Sequence, residues 1–405
     1  MKDKILHKLI KQEEQRQEET ISLIASENYA SPEVLDILGS VLVNKYSEGY
    51  PGRRYYPGNE VYDKIENLAR ERVLKLFGLS DKEWHVNVQP YSGSPANLAV
   101  YAALLDFGDK IMGMRLAAGG HLTHGHKVNF SGRAYKAFQY GVEMDTGLLD
   151  YVDLERLANH HKPKLITSGT TAYPREIDFK RISKVARKIG AYHLADISHI
   201  AGLVATGLHQ SPFENCDVVT TTTHKTLRGP RGAVIICRKE LAKRIDRSVF
   251  PGMQGGPHNN QTAAIALMAF VGRQKSFQQY QKQIIKNAKV LANELMKVGF
   301  DLVTGGTDNH LILVDLRPTG HSGKNAERLL EKAGIIANRN SIPSDTSPFN
   351  PSGLRLGTPA VTTRGMKEKE MKKIASWITD LLLKKAKPTT INRQIKAICK
   401  KFPIL

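Results

Sequence analysis

Val218-Val219-Thr220-Thr221-Thr222-Thr223-His224-Lys225-Thr226-Leu227-Arg228-Gly229-Pro230-Arg231-Gly232 is the stretch on which the fold turns. Its β-branched run predicts a buried strand. The strand delivers His224 and Lys225 at its end and then breaks into a Gly/Pro/Arg loop. A lysine at a strand end beside other cations is suited to a depressed pKa, which favours the free amine that a Schiff base needs. Upstream, Leu194-Ala195-Asp196-Ile197-Ser198-His199-Ile200-Ala201-Gly202 predicts another strand, ending in an acid and a histidine.

Working outward, helical segments alternate with short β-branched strands from about residue 61 to 240. That alternation predicts an α/β fold with a mostly parallel sheet. Residues 1–20 form a polar, helix-prone arm with Ile5, Leu6, Leu9 and Ile10 on one stripe. So short a stripe suits docking on a neighbour better than a free helix. Ser31-Pro32 has the form of an N-cap and first helical position. Residues 44–60 read as a loop rich in Tyr, Gly and Arg. Beyond Gly272 a long amphipathic helix is expected, carrying Tyr280, Ile284, Ala288, Leu291 and Leu295 and stopped at Gly299. A strand pair near 302–316, a helix near 323–333, an irregular loop at 338–354 and C-terminal helices complete the chain. The expected division is an N-terminal arm at 1–20, a large domain at 21–270 and a small α+β domain at 271–405.

The chain has 405 residues, 41% hydrophobic and 24% charged, which is ordinary for a globular protein. No apolar run approaches the ~18 residues of a membrane span, and the N-terminus lacks the apolar core of a signal peptide. A cytoplasmic protein is expected. Cys216, Cys237 and Cys399 lack metal-ligand spacing and are expected to be inert thiols. The formal charge of +20 is compatible with nucleic-acid binding or with polyanionic small molecules. It is equally compatible with lysine-rich solvated faces. No zinc-finger, RRM-like or helix-turn-helix pattern accompanies it, so nucleic acid is not the expected partner.

Several short segments add chemistry. An acid that keeps a pyridinium nitrogen protonated, with an imine-forming lysine, is the minimal equipment for pyridoxal phosphate chemistry. Ser92-Gly93-Ser94 precedes a helix through Leu98, Val100 and Leu104, and free N–H groups there suit a phosphate. Gly119-Gly120-His121-Leu122-Thr123-His124-Gly125 places imidazoles in a glycine-rich turn. His121 and His124 lack a suitable third ligand nearby, so no metal is expected; a planar His121 against an aromatic cofactor accounts better for the glycines. Tyr46-Ser47-Glu48-Gly49-Tyr50 surrounds one acid with hydrogen-bonding aromatics, as a loop, an interface or a proton-transfer site would. Gly255-Gly256 could offer bare N–H groups to a phosphate, or simply form a turn. Arg355 could grip a carboxylate bidentately, or form a surface ion pair.

Taken together, these segments resemble the serine hydroxymethyltransferase family of fold-type I pyridoxal-phosphate enzymes. The resemblance runs from Leu23-Ile24-Ala25-Ser26-Glu27-Asn28 to the C-terminal helices. It rests on the Thr-Thr-Thr-Thr-His-Lys run, Gly-Gly-His-Leu-Thr-His-Gly, Gly305-Gly306-Thr307-Asp308-Asn309-His310 and Asn340-Ser341-Ile342-Pro343. The resemblance implies transfer of the hydroxymethyl carbon of L-serine to tetrahydrofolate, giving glycine and 5,10-methylenetetrahydrofolate. It implies pyridoxal 5'-phosphate as cofactor, linked to Lys225, with Asp196 at the pyridinium nitrogen, His121 on the ring and His199 near the phenolic oxygen. Ser92, Gly93 and Ser94 would bind the phosphate, and Tyr46, Gly255 and Gly256 would reach the phosphate of a second subunit, so a homodimer is implied. Arg355, Ser26 and Tyr56 would hold the amino acid, and Glu48 would be the acid–base residue. Thr222, His224 and Arg231 would support the cofactor and lysine, while Leu116, Leu122 and Asn340 would cradle the pteridine.

Some positions depart from the commoner motifs. Ser198 stands where alanine is frequent, and Thr171, at a cofactor-binding position, stands where serine is frequent. Pro57 replaces a common glycine, Ala118 a polar residue and Ser344 a frequent asparagine. None removes a proposed catalytic group. Two alternatives follow from the same residues: a folate-independent aldolase of β-hydroxy amino acids on this fold, and a basic RNA-binding protein. The full set of Glu48, Leu122 and Asn340 argues against the aldolase, which needs no pteridine site. Only the charge supports the RNA-binding alternative.

Overall fold

The structure is a computed structural model that describes residues 2–347 and 349–404. The chain divides into two compact units, one of Ala30–Thr171 and Glu176–Gln281, the other of the residues through Tyr29, Ala172–Arg175 and those from Lys282 onward.

The first unit is built on a seven-stranded sheet. Its strands are β1 (Trp84–Asn87), β2 (Lys110–Met114), β3 (Lys136–Tyr140), β4 (Leu165–Ser168), β5 (Tyr192–Asp196), β6 (Val218–Thr222) and β7 (Ala233–Arg238). The spatial order is β1-β7-β6-β5-β4-β2-β3. The pairings from β6 across to β3 are parallel, and β7 pairs antiparallel with both β6 and β1. All of β6 is buried, as expected for a strand covered on both faces. The helix Gly93–Leu104 buries Ala96, Asn97, Val100, Tyr101 and Leu104. Its apolar residues share a core with Ile111, Leu165, Leu194, Val218 and Ile235 from the sheet. The parallel strands end together, so Ser168, Asp196 and Thr222 finish three neighbouring strands. In open parallel sheets this C-terminal edge is where ligands bind.

The second unit carries a four-stranded antiparallel sheet: β8 (Asp301–Leu302), β9 (Leu311–Asp315), β10 (Asn338–Asn340) and β11 (Gly353–Gly357), in the order β8-β9-β11-β10. The helices Gly323–Ala333, Glu368–Leu382 and Pro388–Cys399 contribute to its core with Ile312, Val314, Leu354 and Leu356. Part of the region expected to be irregular is therefore strand. Asn338–Asn340 pairs with β11 through Asn338↔Arg355, covering backbone groups that would otherwise lie unpaired.

The N-terminal helix Lys4–Glu19 is capped by the Asp3 carboxylate and buries none of its residues. The segment after it is fixed. Ile21–Ser22 pairs in parallel with Ile335–Ile336, and the Gly357 N–H donates to Leu23 O at 2.7 Å. Gly357 is required by this close approach, because a Cβ there would lie 2.4 Å from Ala25 Cα.

Replacing Gly357 with Ala must push the backbone of Ala25 aside. A loss of about 1–3 kcal/mol is expected, seen as a lower urea midpoint at unchanged slope. An unchanged midpoint would mean that Leu23–Ala25 does not pack against β11 in solution.

Candidate functional site

Asp196 ends β5 with its side chain only 10% exposed. Its Oδ2 accepts from Asn97 Nδ2 at 2.8 Å and from His124 Nε2 at 3.3 Å. Its Oδ1 accepts from the Ser198 amide at 3.1 Å and the Ser198 hydroxyl at 2.6 Å. Burial pushes the carboxyl up, but the His124 hydrogen bond and charge, the nearby His121 and the Ser198 hydroxyl outweigh it and hold Asp196 well below the usual carboxylate range. Asp196 is therefore a fixed buried anion.

The polar residues around it form one consistent network. Thr220 Oγ1 donates to Asn97 Oδ1 at 2.6 Å. Asn97 Nδ2 reaches Asp196 and also Thr123 Oγ1, at 2.9 Å. Thr123 Oγ1 lies 2.7 Å from His121 Nδ1, which also accepts from the Thr123 amide at 3.2 Å. His121 Nδ1 is thus an acceptor, and a neutral ring carries its proton on Nε2. Burial, then the neighbouring His124, pull His121 down to about 4 against the raising effect of Asp196, and Lys225 lowers it further. The turn before His121 is pinned by Thr171, whose Oγ1 donates to Gly120 O at 2.8 Å and whose N–H donates to Gly119 O at 2.7 Å.

Alternation along β6 separates its threonines onto two faces. Thr220 and Thr222 face the helix Gly93–Leu104, Thr220 through Asn97 and Thr222 through a methyl that would lie 2.7 Å from a Cβ on Gly93. Ser198 Oγ ties this corner together, since it also accepts from the Thr222 amide at 3.0 Å. No side chain caps the helix that Ser92 opens, so the first N–H groups of the helix, those of Gly93 and Ser94 among them, have no side-chain cap. His224 and Lys225 follow the strand, both half-buried, and His199 is buried. Burial, then Lys225 and Arg231, lower His224 to about 3. Its buried Nδ1 has no hydrogen-bond partner among the described residues. Arg231 is exposed.

Tyr46, Glu48, Tyr56, Gly255 and Gly256 form a second cluster. Tyr46 Oη donates to Glu48 Oε1 at 3.3 Å, and the Tyr46 and Tyr56 rings meet edge to face at 5.2 Å. A Cβ on Gly255 would lie 3.1 Å from Glu48 Oε1, and one on Gly256 would lie 3.3 Å from the Tyr46 ring. Leu116 begins a single turn of helix, and Leu122 is exposed.

Arg355, Ser26 and Asn340 belong to the other unit. Arg355 lies in the middle of β11, and its burial excludes a surface ion pair. Its Nε donates to Asn338 Oδ1 at 3.1 Å, and Nη2 lies 3.5 Å from Ser26 Oγ. Burial lowers its pKa to about 10 against the raising charge of Glu27. Asn340 ends β10 and donates to Ser341 O at 2.7 Å.

The residues of the first unit suit pyridoxal phosphate. A buried carboxylate held anionic matches a protonated ring nitrogen. A helix N-terminus without a side-chain cap, approached through a glycine too crowded for any side chain, matches a phosphate. Sequence reasoning missed Asn97 and Thr220, whose only signal is a polar residue among the apolar positions of a buried helix and one hydroxyl in a threonine run. Ser198 stands out in the sequence only as a departure from the commoner motif, and its contact with Asp196 is visible only in the fold.

A comparison with known protein families matches residues 1–378 to the model described as serine hydroxymethyltransferase.

The buried imidazoles give a testable pH dependence. His121, His193 and His224 are lowered from 6.5 to about 4, about 3 and about 3 respectively, chiefly by burial. Between these limits the unfolded chain binds more protons than the folded one, so stability rises with pH. The contribution is complete above 6.5 and is lost as the pH falls towards 3. Asp196, also lowered on folding, acts in the same direction at lower pH. The urea midpoint should fall steadily below pH 6.5. Ring resonances of these histidines that titrate near 6.5 in the folded protein would contradict neutral, buried imidazoles; a flat midpoint alone would not, because Glu66 and Asp217 are raised by burial and oppose the trend.

Proposed function

The chain belongs to the serine hydroxymethyltransferase family, and we propose how its residues divide the work of that reaction. The enzyme interconverts L-serine and glycine with tetrahydrofolate as one-carbon acceptor and pyridoxal 5'-phosphate as cofactor. When bound, the cofactor supplies an electron sink for the pair released as the Cα–Cβ bond of serine breaks.

Lys225 would hold the cofactor covalently through Nζ, with Thr222, His224 and Arg231 supporting that lysine. Asp196 would keep the ring nitrogen protonated, His121 would contact the ring as a neutral imidazole, and His199 would serve the phenolic oxygen. Ser92, Gly93 and Ser94 would take the phosphate, with Thr171 setting the turn that carries His121. Arg355, with Ser26 and Tyr56, would bind the amino-acid carboxylate. Glu48 would move a proton at the serine hydroxyl and at the folate, while Leu116, Leu122 and Asn340 would seat the pteridine. Tyr46, Gly255 and Gly256 would serve the phosphate of a second copy, making the active form a homodimer. A cytoplasmic location fits a chain in which, among the described residues, no helix is long and apolar enough to cross a membrane.

The observation that carries the residue assignment is Asp196. A nearly buried carboxylate kept anionic by four hydrogen bonds offers a fixed negative charge to a protonated ring nitrogen. The test is the visible absorbance of the cofactor-loaded protein with glycine, before and after tetrahydrofolate. A strong red-shifted band that requires both ligands is expected. A spectrum that responds to glycine and ignores folate would move the function to a folate-independent aldolase. In parallel, Arg355→Ala should raise the KM for serine by ~10²-fold or more, the loss of a charge-assisted bidentate contact, while the protein stays yellow. Loss of colour instead would assign Arg355 to the cofactor.

A further inference from the structure

We propose that Arg54 is a positioning residue for Glu48. Its buried guanidinium fixes the backbone on both sides of that carboxylate. The inference rests on the assignment of Glu48 as the acid–base group.

Arg54 has a side chain only 4% exposed. Its Nη1 donates to Ser47 O and to Gly49 O, each at 2.8 Å. These are the carbonyls immediately before and after Glu48. The other nitrogens are anchored from behind, Nε to Asp63 Oδ1 at 2.8 Å and Nη2 to Glu66 Oε2 at 2.7 Å. Gln89 Nε2 completes the cradle by donating to Gly49 O and to Glu66 Oε1, each at 3.0 Å. Ser47 Oγ donates to Asn259 Oδ1 at 2.7 Å, and the Tyr55 amide donates to Glu48 O at 3.1 Å. Gly49 has φ +93, and a Cβ there would lie 2.4 Å from Arg53 O, so the turn after Glu48 admits no side chain.

The Glu48 carboxylate itself is held, among the described residues, by one long contact from Tyr46. Its position is therefore set mainly by its backbone, and that backbone is set by Arg54. The arrangement needs the planar fork of arginine. A lysine ammonium is a single point and cannot span two carbonyls and two carboxylates. Stability alone is a weak reason for such a buried ion cluster, because desolvation offsets much of its attraction. Holding a catalytic loop in one conformation is a sufficient one.

The test is Arg54→Lys, which keeps the charge facing Asp63 and Glu66 but loses the fork. Hydrogen exchange in the cofactor-free protein should show faster exchange of the Tyr55 amide. In the loaded enzyme, kcat for folate-dependent serine cleavage should fall about 10- to 100-fold, with the KM for serine and the cofactor absorbance unchanged. In a Glu48→Gln background, Arg54→Lys should add little further loss, because the two act as a unit. Multiplicative losses in the double variant would overturn the positioning role while leaving Glu48 as the acid–base group. Near-normal turnover of Glu48→Gln alone would instead overturn the assignment of Glu48 itself. Should Arg54→Lys fail to fold, Gln89→Met removes the second donor to Gly49 O, together with a donor to Glu66, and leaves all four contacts of Arg54 in place. It should show the same pattern at several-fold size, and wild-type kcat with wild-type exchange would overturn the proposal.

Discussion

Everything at the centre of the first unit is arranged around one buried negative charge. A carboxylate removed from water raises its own pKa unless donors and positive neighbours replace the lost hydration. Asp196 has such donors from three places: the helix Gly93–Leu104 through Asn97, the glycine-rich turn through His124, and its own strand end through Ser198. Each donor also ties down an element that carries another proposed site residue. Asn97 links to Thr123 and thereby to His121, and Ser198 links to Thr222. Removing the charge would leave several buried donors unmatched at once, so the network is cooperative in the sense that its parts lose their partners together.

The sheet makes this convergence possible. Parallel strands release their chains at a common edge, and residues far apart in sequence arrive there side by side. Asp196 and Thr220 are register partners on adjacent strands. Asn97, about a hundred residues earlier, reaches both from the helix covering them. Parallel pairing also demands burial on both faces, which is why the threonines of β6 satisfy their hydroxyls on protein groups such as Asn97 Oδ1 and Thr222 O.

The Glu48 loop follows a different plan. It lacks long strands, and its conformation is imposed by side chains reaching in from the helix Glu60–Leu76, from Gln89 and from Asn259. Burial raises the pKa of Glu66 against the lowering effects of Arg54 and Gln89. Arg54 is the group that lets two acids and two carbonyls share one small volume. A loop held this way is tied down on both sides of Glu48 and exposed at Tyr55 and Tyr56.

The threonine run with His224-Lys225 predicts the strand and the lysine at its end, and the alternation of helical segments and strands from about 61 to 240 predicts a mostly parallel α/β fold, because periodicity and Gly/Pro breaks are local signals. The Ser92 helix start, the long helix ending before Gly299 and the acid at the end of the next strand were legible for the same reason. Local sequence left Arg355 open between a surface ion pair and a buried anion-binding group, since burial depends on what packs over β11. It also left residues 338–340 as loop, since their strand exists only through pairing with Gly353–Gly357. The hydrogen-bond partners of Asp196 come from positions up to about a hundred residues away, and the two carbonyls beside Glu48 and two carboxylates behind it that Arg54 joins are brought together by the turn between Ser47 and the helix Glu60–Leu76. Composition and spacing determined which chemical groups this chain possesses. Only the tertiary structure decided which of them meet, because a hydrogen bond between distant residues is set by the folded path of the chain and leaves no period in the sequence.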